Sequence, residues 1–343
     1  MGAMFRTTGP LTEEEGHLYV ERVEDKEVAA CVRRGDYVTL IGSRQTGKTS
    51  LLLRLRRQLL SEGHIPIYLD LSPAKDRDQE DWYDHLRAVI QEQFELTVPG
   101  LVVSPIQDQL DFRAALRQIS RLSLASSNQV VILLDEVSGV PESVAELFFS
   151  TIRTIFNERE PIPEFKRYVF VMAGTFNPDE LIRDPLVSPF NIAVRIYIGD
   201  ADRSGITNLV RNLERIGFIV PSDVIERIYE WTEGHLYLTQ RLCCFWESRE
   251  PTRLMVQHVD TMADELLNDR HIKHIFKELD ENPDVRGMLQ MILSNDRPLR
   301  FNRNDSLVAK LELIGLIKPN HEGCCTIRNK IYERALQNYP ELI

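Results

Sequence analysis

The sequence predicts an α/β domain built on a parallel sheet flanked by helices, followed by an all-α helical domain and a winged-helix domain. Three observations predict it. Short apolar runs without polar alternation recur at Asp36 to Ile41, Ile65 to Leu71, Val130 to Leu134 and Tyr168 to Met172, each between segments of helical spacing. Strands of this kind are buried on both faces, as in a parallel sheet crossed by helices. After Ile198-Gly199-Asp200 the strand signals stop, and apolar residues follow at three- and four-residue steps: Leu209, Leu213 and Ile216, then Val224, Ile228 and Trp231, then Leu236, Leu238, Leu242 and Phe245. From Pro283 the order is a helix around Val285 to Leu293, a second from Asp305 to Leu313, and two short runs, Gly315 to Lys318 and Cys325 to Arg328, around a polar turn at Asn320 to Gly323. Two helices and a hairpin outline a winged helix, closed by a helix from Lys330 to Gln337. The expected domains are residues 1–200, 201–280 and 281–343.

The first strand leads into Gly42-Ser43-Arg44-Gln45-Thr46-Gly47-Lys48-Thr49, which fits G-x-x-x-x-G-K-[ST] at every fixed position, and a helix from Lys48 to Leu60 follows at once. That strand–loop–helix context is what phosphate binding requires. Glycines let the loop curl so that its N–H groups face phosphate oxygens, and the helix N-terminus adds its dipole. Lys48 would neutralise the β- and γ-phosphates and the Thr49 hydroxyl would ligate magnesium, with Ser50 in the first helical turn beside them. The first domain is therefore expected to be a P-loop NTPase domain.

Such a loop calls for a carboxylate at the end of another buried strand, and Val130-Val131-Ile132-Leu133-Leu134-Asp135-Glu136 supplies it. Asp135 is placed to hold magnesium, since a hard cation selects oxygen ligands. Glu136 stands where a general base would polarise the attacking water. Lys48, Asp135 and Glu136 form the expected catalytic set. The strand at Tyr168 to Met172 ends in Ala173-Gly174-Thr175-Phe176-Asn177, where Thr175 and Asn177 are candidate γ-phosphate sensors. Guanine readers carry N-K-x-D; the only Asn-Lys pair, Asn329-Lys330, continues Ile331-Tyr332, which leaves adenine and hence ATP or ADP.

These segments and several others resemble the bacterial AAA-like ATPases of the STAND class, similar in logic to the NB-ARC and NACHT switches. The resemblance covers about Leu18 to Leu336. It includes Leu18-Tyr19-Val20-Glu21-Arg22, the phosphate loop, Leu133 to Glu136, Ser188-Pro189-Phe190-Asn191-Ile192, Thr232-Glu233-Gly234-His235-Leu236-Tyr237-Leu238-Thr239-Gln240, and Arg328-Asn329-Lys330-Ile331-Tyr332-Glu333-Arg334. It implies three domains closing over the nucleotide, with Tyr19, Val20 and Arg22 near adenine and ribose and His235 capping the nucleotide. It also implies a homo-oligomer in the ATP state and an effector or sensor partner, as part of the same chain or a separate one. Two departures bear on activity. Leu236 stands where the family often has proline, which counts against an adenine contact there. Thr175 stands where NB-ARC relatives carry arginine, which points to slow hydrolysis.

Bulk properties bound the alternatives. At 343 residues the chain has room for two or three domains. A net charge of −11 works against nonspecific nucleic-acid binding. Pro283 to Ile343, however, holds nine Lys and Arg against seven Asp and Glu, so DNA binding through the winged helix, with Arg297, Arg300 and Arg303 as contacts, is the alternative reading. No run reaches the roughly 18 apolar residues of a membrane span, and the N-terminus lacks a signal-peptide pattern. The five cysteines have no metal-ligand spacing, so a cytoplasmic setting is expected. His271 and His274 lie one turn apart and are read as a solvated helix face.

Overall fold

The computed structural model describes residues 4–74, 77–97, 100–122, 128–250, 252–294 and 298–339. The chain divides into two compact units. One, the sheet unit, holds Val23–Ile41 and Lys48–Ile198; the other, the helical unit, holds Met1–Arg22, Gly42–Gly47 and Gly199–Ile343.

The sheet unit contains α1 (Val23–Arg34), β1 (Val38–Ile41), α2 (Lys48–Ser61), β2 (Ile65–Asp70), α3 (Gln79–Thr97), α4 (Gln109–Leu122), β3 (Val130–Asp135), α5 (Glu142–Asn157), β4 (Tyr168–Gly174), α6 (Pro178–Leu181) and β5 (Val194–Tyr197). All five strands are parallel, in the order β2-β3-β4-β1-β5. Every residue of β1, β3 and β4 is buried, the consequence of a sheet covered on both faces. Helix α1 lies against β1 and β5, α2 against β2 and β3, and α3 against β2. Pro66 is tolerated because β2 is an edge strand that pairs with β3 alone. The opposite edge, β5, escaped the sequence reading. It is four residues long and Val194 and Arg195 are exposed, so it shows neither a long apolar run nor a clean alternation.

The segment Ser188-Pro189-Phe190 explains itself in this unit. The Phe190 ring is fully buried and meets Phe149 and Phe176, each at 5.2 Å between centroids. Arg153 donates to the Ser188 carbonyl at 2.8 Å. The segment therefore pins the turn after β4.

The helical unit contains α7 (Arg203–Val210), α8 (Ser222–Thr232), α9 (Leu236–Glu247), α10 (Val256–Leu266), α11 (Arg270–Asp280), α12 (Pro283–Ser294), α13 (Ser306–Ile314), β6 (Ile317–Pro319), β7 (Cys325–Ile327) and α14 (Lys330–Leu336). Strands β6 and β7 form an antiparallel hairpin. One cluster of buried side chains runs from Phe5 through Leu209, Ile228, Trp246 and Leu266 to Leu311 and Tyr339. Asp269, Asp305 and Asn329 cap α11, α13 and α14 with side-chain oxygens on free backbone N–H groups. All five cysteines are free. No helix among the described residues is long and apolar enough to cross a membrane.

Candidate phosphate and magnesium site

Strand order brings the candidate groups of the sheet unit to one edge. β4 lies between β1 and β3, and the registers Ile41↔Gly174 and Leu134↔Met172 align their C-terminal ends. Ligands of open α/β sheets bind beyond that end. Lys48 opens α2 and is buried, and its ammonium donates to Thr175 Oγ1 at 2.9 Å, just past β4.

Asp135, 1% exposed, ends β3. The Tyr68 hydroxyl donates to its Oδ2 at 3.0 Å, and the Glu136 backbone N–H donates to its Oδ1 at 3.0 Å. Burial, then the adjacent Asp135 carboxylate, pushes the Tyr68 hydroxyl far above its ordinary range, so it stays a donor. Tyr68 was not a sequence candidate, because nothing in β2 marks its hydroxyl as facing a carboxylate on the next strand. Glu136 adopts a left-handed conformation (φ 51°) and turns the chain sharply after the strand. Gly139 follows, where a Cβ would lie 2.3 Å from the Leu71 carbonyl oxygen.

Asp135, a buried and hydrogen-bonded carboxylate, and Thr49, the residue after Lys48 in α2, are the oxygen donors that could hold magnesium, a hard cation. No group of three or more His, Cys, Asp or Glu among the described residues is arranged to hold a metal by itself.

The loop residues Gly42–Gly47 group with the helical unit, and arginines of that unit hold them. Gln45 (φ 62°) and Gly47 (φ 86°) take the left-handed backbone that a curled loop needs. The Thr46 hydroxyl donates to the Ser43 carbonyl at 2.8 Å. Arg22, expected near adenine and ribose, is placed on the loop itself: its Nη1 donates to the Thr46 carbonyl at 2.7 Å and to the Gly199 carbonyl at 3.2 Å. Arg328, to which the sequence reading gave no role, donates to Ser43 Oγ at 2.6 Å. Its guanidinium also grips Asp200, with Nη2–Oδ1 at 2.7 Å and Nε–Oδ2 at 3.0 Å. Burial, the largest single influence, would lower the Arg328 pKa, but the Asp200 charge and hydrogen bonds, with Tyr332 and Glu312 nearby, together outweigh it and the net direction is upward. Arg44 and Gln45 are exposed.

Val20 is buried in the core of the helical unit, and a Cβ on Gly205 would lie 2.4 Å from its Cγ1. Tyr19 is half-buried. His235 is 1% exposed and caps α9 by accepting the Leu238 N–H on Nδ1. Its proton therefore sits on Nε2, 3.0 Å from the Tyr332 oxygen, and the Tyr332 hydroxyl lies 2.6 Å from His271 Nε2. A single direction satisfies the chain: His235 donates to Tyr332, which donates to His271.

His271 thus corrects the expectation of a solvated helix face. Helix α11 turns His271 inward beside Ile272, Ile275 and Leu279, while His274 stays half-buried near Glu278. Burial, then Arg328 and His271, holds His235 well below its ordinary range, and burial foremost lowers His271 to about 4. Arg303 is paired with Glu312, Arg300 donates to the Glu322 carbonyl, and Arg297 lies outside the described residues.

The pattern of the AAA-like domain family matches residues 7–338. An uncharacterized WD repeat-containing protein of Synechocystis sp. is 29% identical over 240 residues, 66% of this chain and 20% of that protein; the matched stretch is thus about a fifth of this curated relative. Among solved structures, the Walker-type ATPase of Pyrococcus abyssi is similar over 97% of this chain and 99% of its own, with a TM-score of 0.68 at 14% identity. Cdc6p of Pyrobaculum aerophilum is similar over 98% of this chain and 95% of its own, with a TM-score of 0.47 at 13% identity.

Proposed function

This chain belongs to the AAA-like domain family, and we propose that it is a nucleotide-operated switch that binds ATP or ADP with magnesium and hydrolyses ATP slowly. The observation that carries this reading is the convergence of Lys48, Thr175 and Asp135 at the C-terminal edge of one parallel sheet. Lys48 neutralises the β- and γ-phosphates, and Thr175, which it now engages, is released to meet the γ-phosphate. Thr49 and Asp135 would hold magnesium, whose charge would offset that of the phosphates. Glu136 polarises the attacking water. A threonine rather than an arginine at position 175 fits slow turnover.

In the STAND-type reading, the helical domain (201–280) and the winged-helix domain (281–343) follow the state of the nucleotide. ADP favours a closed form. ATP favours an open, self-associating form that engages an effector or sensor protein. Shifting such an equilibrium from 1:99 to 99:1 takes about 5.5 kcal/mol of differential binding, so a trigger besides the γ-phosphate is part of the proposal. The DNA-binding alternative is less favoured, because Arg303 is already committed to Glu312 and Arg300 to a backbone carbonyl.

The test is to denature freshly purified protein and chromatograph the nucleotide released. Tightly held ADP, absent from Lys48→Ala, is the expected result. Glu136→Gln should retain nucleotide while turnover falls by roughly 10²-fold or more. An empty wild-type site with rapid turnover would sink the switch reading.

A further inference from the structure

Arg328 has no part in general phosphate chemistry, yet it is 6% exposed and directs all three guanidinium nitrogens at two partners from distant parts of the chain. It sits between the β6–β7 hairpin and the N-cap of α14, so its position is tied to both. Its own N–H donates to the Leu316 carbonyl at 2.8 Å, which fixes the backbone beneath it. Asp200 neutralises its charge and aims the guanidinium, leaving Nη1 for Ser43, the second residue of the phosphate loop. Gly315 closes on the same serine from the end of α13: a Cβ there would lie 3.1 Å from both Cβ and Oγ of Ser43. Ser43 is thus held from two sides by the C-terminal elements.

We propose that Arg328 is a positioning residue for the phosphate loop, a latch that ties Ser43 to the hairpin–helix segment and must open for nucleotide to exchange. The inference rests on reading Gly42–Thr49 as the nucleotide site. An arriving phosphate must compete for the loop that Arg328 holds, and opening the Arg328–Ser43 bond parts the loop from the guanidinium while Asp200 keeps it in place. The latched state also carries a cost. Asn329, next in the chain and 1% exposed, keeps its Nδ2 donor without an acceptor, and a buried unpaired donor is destabilising. The Arg328–Ser43 hydrogen bond can open while Asp200 keeps the guanidinium paired, so release of the loop leaves no unpaired buried charge.

Ser43→Ala removes the latch and leaves the Arg328–Asp200 pair intact, so its folding is not confounded. Arg328→Gln removes it from the other side. Two readouts are measured on the full chain: hydrogen exchange of the 42–49 amides without nucleotide, and release of a ribose-labelled fluorescent ADP with magnesium. The expected result is exchange and release each faster by about tenfold or more in Ser43→Ala. Arg328→Gln should match it, and the double variant should add little, as for two partners of one bond. Unchanged loop exchange and unchanged release in Ser43→Ala would overturn the latch, as would purely additive effects in the double variant. If wild type and Lys48→Ala both fail to bind the labelled ADP, the nucleotide reading falls, and loop exchange alone still decides whether the latch exists.

Discussion

At the scale of single residues, the site depends on groups that orient other groups. Asp135 was legible because a carboxylate pair ending a buried apolar run is a local pattern. Tyr68 was not, since its hydroxyl acts on a residue of the neighbouring strand, across the register Asp70↔Asp135. Removing an orienting partner of a metal ligand typically costs 10- to 100-fold in affinity or activity. Tyr68→Phe should therefore weaken magnesium-dependent ATP turnover by roughly tenfold while lowering stability by only about 1 kcal/mol. Steady-state turnover across a magnesium titration, paired with denaturant unfolding, checks this; wild-type turnover in the variant would show that Asp135 needs no such support. Lys48 carries the opposite lesson. Its motif announced a phosphate ligand, and the structure adds that Thr175 engages the ammonium.

At the scale of elements, boundaries follow from capping and backbone geometry. The junction between α8 and α9 is tightly closed. Glu233 adopts φ 45° and Gly234 φ 87°, and a Cβ at Gly234 would lie 2.0 Å from the Ala201 carbonyl oxygen. Only glycine fits, because both the backbone conformation and the space exclude a side chain. Gly234→Ala should cost on the order of 3 kcal/mol or more and move His235 off the α9 cap. Gly287→Ala is the contrasting case: that glycine lies within α12 with nothing near its missing Cβ. Alanine there should stabilise by roughly 0.5–1 kcal/mol. Thermal melts of the two variants should shift in opposite directions, and equal shifts would refute the packing account. The sequence pattern placed α2, α12, α13 and the C-terminal hairpin closely, since each has its own periodicity or turn. It passed over β5, whose exposed first half carries no such signal.

At the scale of the whole molecule, the buried chain His235–Tyr332–His271 couples α9, α14 and α11, and it makes stability depend on pH. His271 sits near 4 in the folded protein because of burial, helped by the nearby Arg328, His274 and Arg44 charges and opposed by Asp269. An unfolded histidine titrates near 6.5. Between those values the unfolded state binds more protons. Stability is therefore fully present above about pH 6.5 and is lost as pH falls toward 4, by about 3 kcal/mol from His271 alone. His235 is lowered too and pulls in the same direction. Denaturant midpoints at pH 7.5 and pH 5 should show the loss. His271→Gln should be less stable at pH 7.5 and fall less steeply across this window; an identical slope would assign the pH dependence elsewhere.

What the sequence by itself determined is the set of features that contiguous residues encode: buried parallel strands, the strand–loop–helix around Lys48, the Asp135-Glu136 pair, and the order of the C-terminal helices and hairpin. Each follows from local sterics, periodicity or charge within a short stretch. The tertiary structure alone decided that Tyr68 anchors Asp135, that Arg22 and Arg328 hold the phosphate loop, and that His271 is buried rather than solvated. The Arg328–Ser43 bond joins residues 285 positions apart, and the Tyr332–His235 bond residues 97 apart. A polar side chain finds such a partner only once packing has excluded water and left it one donor or acceptor within reach, and no local pattern records that choice.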